Sequence, residues 1–281
     1  MSQKHPFKLY KNPELQSSSL VVSWHEDAGK LGTTVIDYLN KKLGFEELGE
    51  IELEDFFPLG GISVQNDIAQ FPESKFFYCK EKNLVIFKSD PPRSEWYRFL
   101  NLIIDIAEYY CHTNELYTIG GMVSPRAHTS PRELLAVANS PEMTGTLKQY
   151  DLAKDLNYET APNQRPTLNS YLLWIAKKRN FTAASLWVPV PFYMISSKDL
   201  KASEKIIEFL NKRFDLSLDL EDLIKDVLRQ NQKIDLLRSR LPEIDGYINR
   251  LDNNLSLADE ENEKLVREMK YTLRKREEDQ V

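Results

Sequence analysis

Short runs of apolar, β-branched and aromatic residues that alternate with helical patterns of ten or more residues constrain this chain more than any other feature. Leu20-Val21-Val22-Ser23-Trp24 is almost unbroken apolar sequence and reads as a strand buried on both faces. Apolar residues then fall at Leu31, Val35, Ile36, Leu39 and Leu43, the three-four spacing of an amphipathic helix. Gly44 follows where a left-handed residue is wanted to end that helix. A strand buried on both faces needs cover on both sides, and parallel neighbours need long crossover connections. Strand-helix alternation therefore implies βαβ units and a mainly parallel sheet.

The pattern repeats. Phe76-Phe77-Tyr78-Cys79 and Leu84-Val85-Ile86-Phe87 are two strands across a charged Lys80-Glu81-Lys82-Asn83 turn, so a hairpin is expected. Residues 95–110 form an apolar helix with Phe99, Leu102, Ile103, Ile106 and Tyr110 on one face. Strand-like runs follow at 116–121 and 133–138, then a helix over 167–178, a strand over 184–189 and a helix over 203–214. Trp174 and Trp187 fall within these core patterns and read as packing residues. The fold expected over residues 1–217 is a three-layer α/β/α sandwich.

Beyond residue 217 the composition changes, and residues 218–281 read as a helical extension. Leu220, Ile224, Val227, Ile234, Leu237 and Leu241 form one apolar stripe, which Pro242 stops. Ile244, Tyr247, Ile248, Leu251 and Leu255 form a second. A third helix is expected to start at Ser256, with Asp259 placed for a capping box, and to carry Leu265, Met269 and Leu273. Such stripes need partners, in the same chain or another. The charged residues from Arg274 to Gln280 are expected to fray.

Charge and cysteine content narrow the class. There are 37 basic and 43 acidic side chains, a net charge of −6, which argues against a surface made for nucleic acid or anionic lipid. Only Cys79 and Cys111 occur, so no disulfide framework is built. The opening Met1-Ser2-Gln3-Lys4-His5-Pro6 has no apolar signal core, and no stretch approaches the ~18 apolar residues of a membrane span. A cytoplasmic protein is expected.

Several chemical motifs fail on inspection. Gly29-Lys30-Leu31 lacks what a phosphate loop needs: Trp24 stands where the first glycine belongs, five residues before Gly29, and Leu31 stands where a hydroxyl must follow the lysine. His25-Glu26-Asp27-Ala28-Gly29 has glycine where a second zinc-binding histidine must stand. Gly61-Ile62-Ser63-Val64-Gln65 lacks the second glycine of a nucleophile elbow. The cysteines and histidines show no paired spacing, so no metal site is expected, and Cys111-His112 reads as a buried thiol beside a histidine at a helix C-terminus. What remains is a set of polar and glycine residues at the carboxyl ends of predicted strands: Asp27 and Gly29, then Gly120 and Gly121, then His128 and Thr129. In an open α/β sheet ligands bind in the crevice there. Asp27 is either a helix N-cap or a catalytic acid.

The same segments carry a family resemblance. Trp24-x-x-Asp27-Ala28-Gly29, Ile119-Gly120-Gly121-Met122-Val123, His128-Thr129-Ser130-Pro131, Leu172-Leu173-Trp174-Ile175-Ala176 and the strand with its proline-rich turn at 184–193 come in the order found in the PAC2 family. The chain resembles that family, named for proteasome assembly chaperone 2, over roughly residues 18 to 275. The resemblance implies an α/β/α sandwich like that of nucleoside phosphorylases, with no common activity, no cofactor and no catalytic residue. It implies a non-enzymatic assembly chaperone or interaction module that binds its own copies, as a trimer or hexamer, and a further protein complex, with neither nucleic acid nor membrane as partner. The alternative is an enzyme or binder for a nucleoside-like or phosphate-bearing ligand at the strand-end crevice. Relatives that dock on the proteasome end in a hydrophobic-tyrosine-any tripeptide; Asp279-Gln280-Val281 differs, so a terminal docking role is not expected.

Overall fold

All seven residues of the strand Ser18–Trp24 (β2) are buried, as a run with no polar face requires. The computed structural model describes residues 6–52, 54–57, 63–65, 67–153 and 164–274. Gly61 and Ile62 of the rejected elbow, and residues 275–281 with the terminal tripeptide, lie outside them. In chain order the other strands are β1 (Phe7–Leu9), β3 (Glu46–Ile51), β4 (Ser63–Gln65), β5 (Ile68–Gln70), β6 (Ser74–Cys79), β7 (Leu84–Ser89), β8 (Thr113–Ser124), β9 (Leu135–Ala138) and β10 (Thr182–Pro191). The helices are α1 (Leu31–Leu43), α2 (Trp96–Cys111), α3 (Pro141–Leu147), α4 (Leu168–Lys178), α5 (Leu200–Arg213), α6 (Glu221–Arg240), α7 (Pro242–Asp252) and α8 (Asp259–Arg274).

Eight strands form one sheet in the order β1-β3-β6-β7-β2-β8-β10-β9, with helices on its faces in a three-layer α/β/α arrangement. β2 runs parallel to both β7 and β8, while β6 pairs antiparallel with β7 and β3, and β3 with β1. The expected 76–87 hairpin is therefore present. Asn83 adopts a left-handed conformation (φ 47°) that closes its turn. Leu20, Val22 and Trp24 share a core cluster with Phe99 and Ile103 of α2 and Leu172 and Ile175 of α4. Val21 and Ile86, the alternate positions, are equally buried. The Gly44 N–H closes α1 on the Asn40 carbonyl at 2.8 Å. Cys111 is fully buried at the end of α2, and burial pushes its thiol up to about 12.

Three expectations need correction. β8 runs on through Gly120 and Gly121 to Ser124, so these glycines lie inside the strand. α8 begins at Asp259, three residues later than Ser256; the Glu261 carboxylate, not Asp259, reaches back to the Ala258 N–H at 2.7 Å. Trp174 is 46% exposed on α4 and is not a core residue.

The chain forms two compact units, one of Met1–Glu26, Ile36–Gly120 and Leu135–Leu186, the other of Asp27–Val35, Gly121–Leu134 and Trp187–Val281. Within the second, α6 packs on α5, α7 and α8, and α8 packs on the 3₁₀ turn Phe192–Met194. Leu223, Val227, Ile234 and Leu237 are the buried stripe of α6, and Pro242 opens α7 as its first residue. Among the described residues no helix is long and apolar enough to cross a membrane.

Candidate functional site

Asp27 precedes a single 3₁₀ turn, Ala28–Lys30, that leads into α1. Its Oδ2 accepts the Gly32 N–H at 3.0 Å, which satisfies one of the free donors of the first helical turn. Gly29 takes φ +73°, a conformation that disfavours any side chain, and a Cβ there would stand 3.1 Å from both Val190 methyls. Its N–H donates to the Ile195 carbonyl and its own carbonyl accepts the Asp199 N–H, both at 2.9 Å. Gly121 lets backbones meet: a Cβ would fall 2.2 Å from the Ala28 carbonyl oxygen. Gly120, one residue earlier, is buried in β8 and belongs to the other unit.

The loop after β8 is fastened from several sides. His128 is buried, and the Tyr193 hydroxyl stands 2.6 Å from its backbone N–H and 2.8 Å from Nδ1. Burial, reinforced by the cations of Arg238 and Arg132, lowers the imidazole to about 4 and keeps it neutral. The Thr129 hydroxyl donates to Asp252 on α7. Arg132 and Asp199 form a pair with both side chains almost wholly buried, Nη2 to Oδ2 at 3.0 Å. The second oxygen of Asp199 caps α5 through the Ala202 N–H at 3.0 Å. Arg132 also donates to the Ser130 carbonyl at 3.2 Å, and Lys201 Nζ reaches the same carbonyl at 3.2 Å.

Asp27, Gly29, Gly121, His128 and Thr129 thus lie in one unit, on segments tied together by Asp199, Arg132 and Tyr193, which sequence reasoning missed. Asp199 carried a readable signal, since an aspartate three residues before Ala202 at a helix start is a cap. Arg132 carried none, because its partner is 67 residues away. His25 pairs with Asp90 at 3.1 Å. Among the described residues no three His, Cys, Asp or Glu side chains gather as a metal site needs.

A different surface stands out in the first unit. Tyr97 on α2 and Trp174 on α4 are 58% and 46% exposed with ring centres 6.4 Å apart. Tyr171 lies 5.5 Å from Trp174 and 6.5 Å from Trp96, which extends the patch across both helices. Around it Lys178 sits over the Trp174 ring at 5.4 Å, and Arg179 bridges Asp105 and Glu108 at 2.5 and 2.6 Å.

The fold and these segments define a family. The chain belongs to the PAC2 family, whose model matches residues 22–238. Among solved structures it is similar to the unknown function protein Rv2714 of Mycobacterium tuberculosis, at 18% identity and a TM-score of 0.75 over 90% of each chain. It is similar to PbaB of Pyrococcus furiosus, an archaeal proteasome activator, at 16% identity and a TM-score of 0.68, over 83% of this chain and 98% of that one. It is also similar to P. furiosus PbaA, an archaeal homolog of proteasome-assembly chaperone, at 18% identity and a TM-score of 0.65, over 90% of this chain and all of that one. Comparison with curated proteins gives no match.

Proposed function

We propose that the chain is a PAC2-type interaction protein that holds other protein chains during assembly and works in the cytoplasm as a homo-oligomer. The observation that carries this reading is the aromatic face of α2 and α4. Large rings at a surface give contact area at low entropic cost and dominate binding energy where they become buried. An exposed patch of this kind marks an interaction site. The occupant assigned to it is a second copy of the chain. Its rim carries both signs of charge, Lys178 and Arg179 beside Asp105 and Glu108, as a self-complementary contact needs. Family membership and the likeness to the archaeal homolog of proteasome-assembly chaperone support the assembly role.

Light scattering tests this. The full chain is expected to have a mass several times that of the protomer at micromolar concentration and physiological salt. A variant carrying Tyr97→Ser and Trp174→Ser is expected to fall to a smaller species with its melting temperature retained. A wild-type monomer would sink the proposal.

A further inference from the structure

Part of the second unit has the opposite character to the fastened loop. A cavity of about 480 Å³ is bounded by Lys30, the segment from Ser196 to Leu200, α6 and the end of α8. That volume suits a small molecule. Arg229 in its wall is matched by Asp226 at 2.9 Å. Lys30, Lys233 and Arg274 also line it, and none of the three forms an ion pair among the described residues. Lys30 holds φ +49°, which is unfavourable for a lysine.

We propose that this cavity binds a small molecule carrying linked phosphates. Lys30, Lys233 and Arg274 supply the counter-charge from three separate elements. A diphosphate group near neutral pH carries negative charge comparable to these three cations and offers acceptors on every side. Its compactness suits cations that converge on one cavity. The proposal does not depend on the self-association described above.

Isothermal titration of the full chain with inorganic pyrophosphate tests it, with orthophosphate and an oligoglutamate peptide as comparators. Saturable binding of pyrophosphate, tighter than that of orthophosphate and weakened by added salt, is expected. Lys30→Gln combined with Lys233→Gln is expected to weaken it at least about tenfold, the worth of one hydrogen bond to a charged group. Lys225→Gln, on α6 but outside the cavity, is expected to leave it unchanged. Thermal melts confirm that each variant is folded. No saturable binding of pyrophosphate overturns the proposal. So does tighter binding of oligoglutamate, or a loss on Lys225→Gln as large as that of the paired variant.

Discussion

In the loop around His128 the polar groups meet partners inside the protein, whereas on the face made by Tyr97 and Trp174 two large rings stand 58% and 46% exposed. Residue type suggests the reverse. Histidine, threonine and arginine after a strand suggest chemistry, and tryptophan within an apolar helical pattern suggests core. The difference teaches that satisfaction, not polarity, marks a site. A polar group with its bonds made serves the fold, and an apolar group with no cover is available to a partner.

That comparison breaks first at Asp199. Asp199→Ala removes the carboxylate that neutralises buried Arg132 and also uncaps α5. A loss of about 3–5 kcal/mol in urea denaturation is expected. Pairing Asp199→Asn with Arg132→Met is expected to recover part of it, since no lone charge stays buried. A loss under about 1 kcal/mol for Asp199→Ala would show that the loop is not held this way.

His128 gives the next effect. Because burial lowers its imidazole from 6.5 to about 4, the unfolded chain takes up a proton more readily than the fold. Its contribution is complete above pH 6.5 and is lost as pH falls toward about 4. The difference across that window is about 3 kcal/mol. His128→Gln is expected to flatten stability against pH between those limits, and an unchanged profile would count against a neutral, buried imidazole.

Asp27 gives the smallest effect and separates scaffold from chemistry. Its carboxylate accepts the Gly32 N–H, so Asp27→Ala is expected to cost about 1 kcal/mol and Asp27→Asn almost nothing. An amide cannot exchange the proton that a general acid must. If Asp27→Asn kept the melting temperature yet abolished a cellular activity, the enzymatic alternative would move ahead.

Much of the scaffold was legible because its signals are local. The β2 run, the 76–87 hairpin, the α2 stripe and the Pro242 break each declare themselves within one element. β3 was missed because its pairing with β6 shifts register between Glu47 and Gly49. Leu48 and Gly49 are consequently buried side by side, and no period of two survives. α3 was hidden by its length of seven residues. Of the candidate site, Asp27 was legible as a cap, while the partners of His128 and Arg132 lie 65 and 67 residues away and leave no local trace. Trp174 misled because the α4 pattern marks apolar positions without telling which of them another element covers. Buried Leu172 and exposed Trp174 are two residues apart.

Hydroxyl-radical footprinting of the full chain across a dilution series tests the aromatic face most directly. Tyr97 and Trp174 are expected to be protected at high concentration and to become reactive as the assembly dissociates. Tyr271, 61% exposed on α8, serves as a reference ring whose reactivity is expected to stay constant. Equal reactivity of Tyr97 and Trp174 at every concentration, in a sample that light scattering shows to be oligomeric, would contradict the assignment of this face to a second copy.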